Sequence, residues 1–208
     1  MELLIATSNE HKLREIGEVL SGFEIVVKGL GSINGSIPEP VEDGATFQEN
    51  ARIKAREYAR ATELRCLADD SGLEVDALDG APGIYSARYA GKGETRQERD
   101  EANNRKLLEQ LQGVPQSERT ARFVCALCLC EPDGTILHET RGEFPGMIID
   151  TPRGSNGFGY DPLLYVPEMG VTSAELEPEA KNEISHRGRA LQQLVAWFNS
   201  DAPSWKVP

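Results

Sequence analysis

The apolar run Cys66-Leu67-Ala68 leads directly into two adjacent carboxylates, Asp69 and Asp70, and then into Ser71-Gly72. This feature restricts the fold more than any other. Such a run reads as the end of a buried strand, and acids at its tip need water or a cation to offset their charge. Ser71 and Gly72 predict a turn, with a second strand-like run over Leu73 to Leu78. Two readings stand for the paired acids: a solvated acidic turn, or oxygen ligands for a hard cation such as Mg²⁺.

A chain of 208 residues suffices for one domain with a sizeable core, or two lobes sharing a cleft. Its formal net charge of −12, from 22 basic and 34 acidic residues, argues against a polymeric nucleic-acid partner. A small phosphorylated ligand fits only if a few Lys and Arg converge locally, and a bridging cation would help against the acidic field. No run approaches the roughly 18 apolar residues of a membrane span. The start Met-Glu-Leu-Leu-Ile-Ala-Thr lacks a basic, apolar leader pattern, so a soluble cytoplasmic protein is expected. Cys125, Cys128 and Cys130 lie in one apolar strand without a second pair at zinc spacing, so they read as small buried hydrophobes in a reducing compartment. Alternation sends Cys125 to one face and the other two to the opposite face.

Leu3 to Ala6 predicts a first strand. The cluster Thr7-Ser8-Asn9 caps a helix with inward Leu13, Ile16 and Leu20. Thr7 to Lys12 is thus a strand-to-helix turn with free N–H groups, suited to an anion or to ordinary capping, and lacking the glycines of a P-loop. Glu24 to Val27 predicts a second strand, followed by a Gly/Pro/Ser-rich connection from Gly29 to Pro40. Glu42 lies in an irregular segment just before a helix capped by Thr46 and Glu49, with Phe47, Ala51, Ala55 and Ala59 on its inner stripe. Lys54 lies two turns in, off that stripe; taken singly, Glu42 and Lys54 read as exposed.

Thr95 and Glu98 cap a further helix through Leu111. Arg119 to Cys130 and Ile136 to Ile149 predict a hairpin about Glu131-Pro-Asp-Gly-Thr135, with a bulge or bend at Gly142, Pro145 and Gly146. In Pro152 to Pro162, three glycines interleave with Phe158 and Tyr160, whose rings either stack on a nucleobase or plug the core. Glu179 to Asn182 reads as a polar connection. Ser185 caps the last helix, placing His186 and Arg187 in its first turn; cations oppose the helix dipole there, which suggests a ligand-facing use. The tail around Trp205 reads as a terminal packing segment.

An anion turn with Lys12, carboxylates Glu42, Asp69 and Asp70, a glycine-aromatic loop and a His-Arg helix start together describe a site for a purine nucleotide carrying a divalent metal. The same residues resemble the inosine triphosphate pyrophosphatase family, the Ham1-like non-standard purine triphosphate pyrophosphatases. The resemblance covers nearly the whole chain through Ala6 to Lys12, Glu42 to Ala55, Ala68 to Asp76, Gly83 to Arg88, Gly157 to Pro162 and Lys181 to Arg189. It implies a single α/β domain over 1–208, with an elongated central mixed β-sheet flanked by helices and two lobes around an active-site cleft. It further implies a homodimer that hydrolyses inosine, deoxyinosine and xanthosine triphosphates to the monophosphate and pyrophosphate, with Mg²⁺ as cofactor and Mn²⁺ as a substitute.

By the same resemblance, Asp70 is the proton acceptor, and Asp70, Glu42 and Asp69 serve the metal, Asp69 either directly or through a metal-bound water. Thr7, Ser8, Asn9, Glu10, His11, Lys12, Lys54 and Lys181 serve the substrate at its phosphates, with Ser71 beside the metal. Phe158, Gly159, Tyr160, Asp161, His186 and Arg187 form the base pocket. Arg187 can donate to the 6-oxygen of hypoxanthine or xanthine, whereas the 6-amino group of adenine opposes it, and an unpaired buried polar group costs ~1–3 kcal/mol. Guanine shares the 6-oxygen, and no residue is assigned to its rejection. Three other readings are a Maf-type pyrophosphatase, a phosphatase releasing orthophosphate, and a non-catalytic nucleotide-binding regulator. The His-Arg helix start and Phe-Gly-Tyr-Asp-Pro argue against the first, and the intact Glu42/Asp70 pair against the last.

Overall fold

The computed structural model describes residues 2–33 and 37–200; the tail around Trp205 lies outside them. Described in order are β1 (Glu2–Ala6), α1 (Glu10–Leu20), β2 (Val26–Gly29), α2 (Phe47–Thr62), β3 (Arg65–Val75) and α3 (Arg96–Gln110). They are followed by β4 (Thr120–Cys130), β5 (Ile136–Ile148), β6 (Leu164–Val166), β7 (Val171–Thr172), α4 (Pro178–Ile184) and α5 (His186–Ser200). Among the described residues the strands form one mixed sheet in the order β2-β1-β3-β4-β5-β6-β7. Strand β1 is parallel to β2 and β3, whereas β6 is antiparallel to β5 and β7. The expected α/β class with a helix-flanked mixed sheet is therefore correct.

The chain packs as two compact units. The first comprises Met1–Asp70, Cys125–Gly142 and Arg189–Pro208, and the second Ser71–Val124 and Glu143–Gly188. In the first, Leu3, Ile5, Leu67, Cys125, Leu127 and Leu129 from alternate strand positions pack against Ile16 and Leu20 of α1 and Leu191, Leu194 and Phe198 of α5. In the second, Leu73, Val75, Phe123, Phe144 and Ile148 pack with Leu107 of α3, with Leu111 just after it, and with Tyr160, Leu163 and Leu164. All four cysteines are free and buried, as their apolar setting predicts.

Three local expectations need correction. Ser71-Gly72 makes no turn; β3 runs on through it to Val75. A Cβ at Gly72 would meet the Ser86 Oγ at 2.3 Å, so this glycine marks a close approach rather than a change of direction. Ser86 Oγ accepts the Leu73 N–H at 2.8 Å and donates to Gly83 O at 2.6 Å, which locks the crossing. Next, Gly142, Pro145 and Gly146 do not interrupt β5, which is continuous. At Gly146 the absent side chain lets Tyr165 O of β6 approach to 2.5 Å of the Cβ position. Finally, the segment read as a polar connection contains α4, opened by Pro178 at a helix start that suits its fixed φ.

Candidate active site

Successive side chains of a strand point to opposite faces, and continuity of β3 makes Asp69 and Asp70 diverge. Asp69 turns toward α1, where its carboxylate pairs with Lys12 and accepts from the Cys125 Sγ at 3.1 Å. Asp70 turns toward α2, where Lys54 Nζ donates to its Oδ1 at 2.8 Å and Asn50 Nδ2 to its Oδ2 at 3.3 Å. The same Lys54 Nζ lies 3.3 Å from Glu42 Oε2. Glu42, Asp70 and Lys54 thus converge, while Asp69 pairs with Lys12 and acts on Lys54 through its charge.

This cluster is largely withdrawn from water. The side chain of Lys54, read singly as exposed, keeps 11% of its accessible surface. Burial pushes the Asp70 carboxyl above the usual carboxylate range, against the pull of Lys54 and Lys12. Burial also works against the Lys54 charge, but Asp70 and Glu42 outweigh it and hold the ammonium above its ordinary value.

Asn50 is the residue that sequence reasoning missed. It is fully buried; its Oδ1 accepts the Gly44 N–H at 2.9 Å while its amide reaches Asp70. The loop bearing Glu42 is thereby tied to the strand bearing Asp70. The available signal was a polar side chain three residues after Phe47, on the inner side of α2, where a buried amide must find partners.

At the start of α1 the capping chemistry is as expected. Thr7 Oγ1 accepts the Asn9 N–H and Asn9 Oδ1 accepts the His11 N–H, both at 3.1 Å. Ser8 and Glu10 are exposed at this turn, and His11 is half-buried. Two N–H groups expected to face an anion are therefore engaged by side chains of the turn itself. Lys12 is the charge this turn adds, and Asp69 anchors it.

In the second unit the glycine-aromatic loop divides in function. Tyr160 is a core residue: it is buried, and its hydroxyl donates to Ser86 O at 2.8 Å. Its ring packs in the second core beside Leu163 and Leu164. Asp161 is buried too and organises the loop, accepting from the Phe158 N–H at 2.7 Å, the Ser173 hydroxyl at 2.7 Å and Lys181 Nζ at 2.5 Å. Lys181 is likewise buried. Gly157, at φ +78°, has no room for a Cβ, which would lie 2.1 Å from Asp161 Oδ2. Phe158 and Gly159 remain half-buried, so Phe158 is the ring of this loop that can meet a ligand.

Ser185 Oγ accepts the Gly188 N–H at 3.1 Å, confirming the cap of α5. His186 stacks on Phe123 with ring centroids 5.1 Å apart, and the buried Arg187 donates from Nη2 to Ser71 Oγ at 3.1 Å. Arg187 thus reaches the residue that follows Asp70 in sequence.

No group of three or more His, Cys, Asp or Glu side chains converges as a metal cage among the described residues. The donor chemistry still fits a hard cation. Glu42 and Asp70 already share one positive centre, the Lys54 ammonium, and offer only carboxylate oxygens. Mg²⁺ typically takes one or two protein carboxylates and completes its shell with water and substrate phosphate.

An open mixed α/β sheet whose third strand delivers a buried carboxylate to a lysine-bridged acid pair defines an α/β protein with an acidic, cation-accepting site. The chain belongs to the Ham1 family, whose profile matches residues 3–197. It is 54% identical over 192 residues to the dITP/XTP pyrophosphatase of Geobacter sulfurreducens, covering 92% of this chain and 94% of that protein. It is 49% identical over 197 residues to the dITP/XTP pyrophosphatase of Vibrio cholerae, covering 93% and 94%. Among solved structures, a HAM1 protein from Coxiella burnetii superimposes with a TM-score of 0.86 at 45% identity, covering 96% of this chain and 98% of that one.

Proposed function

We propose that this chain is a Mg²⁺-dependent nucleoside triphosphate pyrophosphatase. It hydrolyses ITP, dITP and XTP to the monophosphate and pyrophosphate, and so keeps deaminated purines out of DNA and RNA. The observation that carries the reading is the convergence of Glu42 and Asp70 on one cationic centre within a chain about half identical to dITP/XTP pyrophosphatases.

In this reading Glu42 and Asp70 hold the metal, with Mn²⁺ as a substitute for Mg²⁺. The bound ion would neutralise charge on the phosphate oxygens, the main barrier term a protein can address in phosphoryl transfer. Asp70 orients and deprotonates the water that attacks the α-phosphorus; its raised pKa suits a group that must take a proton. Lys12, Lys54 and Lys181 stabilise charge on the phosphates, with Thr7 to His11 shaping the turn that presents Lys12. Asp69, committed to Lys12, aims that lysine instead of ligating the metal directly.

Phe158 supplies a stacking face for the purine, and His186 and Arg187 read its edge. Arg187 donates to a 6-oxygen and meets a competing donor in adenine, so adenine nucleotides are rejected through an unpaired buried group. Ser71, which follows Asp70 in sequence, accepts from Arg187. The protein works as a cytoplasmic homodimer. Among the described residues no helix is long and apolar enough to cross a membrane.

The direct test is product analysis. With ITP and Mg²⁺ the reading requires IMP and pyrophosphate in equal amounts; IDP and orthophosphate would mean that the wrong bond was assigned.

A further inference from the structure

One face of α3 grips the Phe158–Gly159 segment at three points four residues apart. The Arg96 guanidinium lies over the Phe158 ring, 4.4 Å from its centroid. Asp100 Oδ2 accepts the Gly159 N–H at 3.0 Å. Asn104 Nδ2 donates to Gly159 O at 3.0 Å. Residues i, i+4 and i+8 share one stripe of a helix, so a single rigid element sets all three contacts. Both polar groups of the Gly159 backbone are thereby held by one helix, at a residue whose φ of +63° suits glycine. From the other side Asp161 holds the Phe158 N–H. Arg96 and Asp100 are also tied to each other, at 3.9 Å.

Helix α3 carries none of the residues assigned to phosphate, metal or base, yet it spends three polar side chains on two residues of a loop. We propose that Arg96, Asp100 and Asn104 are positioning residues that clamp Phe158 and Gly159 in the conformation receiving the purine base. They set affinity for the base and leave the phosphoryl chemistry alone. Arg96 shares the ring with Lys181, whose Nζ lies 5.7 Å from the same centroid. A cation over an aromatic face is a favourable, directional contact, so the ring is held in tilt as well as in position. The proposal rests on the assignment of Phe158 to the base.

The geometry also indicates how the clamp can be broken without opening the core. The Asn104 Oδ1 is buried and has no hydrogen-bond partner among the described residues, so the amide serves Gly159 through its donor side. Asn104→Asp keeps the shape and sets an acceptor against the Gly159 carbonyl. Arg96→Ala removes the cation from the ring, and Arg96→Lys keeps a positive charge in its place.

The test is steady-state hydrolysis of ITP by the full chain with Mg²⁺, alongside inhibition by inorganic tripolyphosphate, which has no base, and thermal melting. For Arg96→Ala and Asn104→Asp the expected result is KM raised about tenfold, the size of one lost polar contact, with kcat within about twofold of the parent. Tripolyphosphate inhibition is expected to stay unchanged, and Arg96→Lys to recover most of the lost affinity. Unchanged KM in both variants overturns the clamp, as does a loss of tripolyphosphate inhibition in step with ITP, which would leave the stripe a purely structural role. Phe158→Ala separates the two levels of the argument: if it too leaves KM for ITP unchanged, the base assignment falls together with the clamp. If Phe158→Ala raises KM and the α3 variants do not, only the clamp is lost.

Discussion

Asp69 and Asp70 are neighbours in sequence whose carboxylates bind different lysines: Asp69 pairs with Lys12 of α1, and Asp70 with Lys54 of α2 at 2.8 Å. The strand period of two separates them, and the two acids should separate in kinetics as well. Asp70→Asn removes the proton acceptor and a metal ligand, and a loss of kcat of at least about 10²-fold is expected. Asp69→Asn weakens the anchor of Lys12 and should act mainly by raising KM for the triphosphate, by roughly tenfold. Parallel kcat and KM measurements on the two variants check this. Equal losses in kcat would return Asp69 to the metal.

Lys54 carries the positive charge that Glu42 and Asp70 share. Lys54→Met leaves two carboxylates in a mostly buried site and should cost about 3 kcal/mol at neutral pH, the scale for stripping one partner from a buried ion pair. The sign with pH follows from the shifts. Lys54 has a raised folded-state pKa, so its contribution in the parent is present at neutral pH and lost as alkaline pH passes that value. In the variant Asp70 loses its main counter-charge and its already raised pKa climbs further, so stability should recover on acidification as that carboxyl protonates. Mg²⁺ should raise the melting temperature of the variant more than that of the parent. Melting at pH 5 and 7, with and without Mg²⁺, tests both statements.

How much of this was legible beforehand follows the kind of interaction involved. Strands β1 to β5, the helices capped by Asn9, Thr46, Thr95 and Ser185 and the inward face of α5 follow from periodicity and capping residues, which are local; the short β6 and β7 carry too few residues for a period and were not legible. Asp70, Glu42 and Lys54 were legible as residue types in plausible places. The divergence of Asp69 was not, because it depends on β3 continuing through Ser71-Gly72. That continuation is set by Ser86 packing against Gly72, a contact between residues 14 positions apart in sequence. Asn50 and the α3 stripe were hidden for the same reason: each acts on partners distant in the chain, and a lone Asn or Arg on a helix reads as solvated until those partners are known.

Tyr160 tests the division of the glycine-aromatic loop. Its hydroxyl donates to Ser86 O at 2.8 Å inside the second core, where Asn103 Nδ2 also donates at 3.2 Å, so Tyr160→Phe removes one of two donors and should lower stability by about 1 kcal/mol. KM for ITP should not change. Urea denaturation together with kinetics decides the matter, and a raised KM at unchanged stability would put Tyr160 back at the base.

His138 offers an internal pH probe. It stacks on Trp197 with centroids 4.7 Å apart and planes 5° from parallel, and burial holds its imidazole below the ordinary value. A depressed folded-state pKa means that this residue's contribution to stability is present above the unfolded value, about 6.5, and is lost as pH falls through the folded one. In a Trp205→Phe background, Trp197 emission should change with a midpoint below about 6.5. His138→Gln should abolish that transition.

The most direct measurement is pyrophosphate release from inosine, deoxyinosine, xanthosine, guanosine, adenosine and thymidine triphosphates, each with Mg²⁺ and with a chelator. Rapid, Mg²⁺-dependent release from the first three and little from the others is expected. Equal release from adenosine or thymidine triphosphate, or release undiminished by the chelator, would contradict the proposed function.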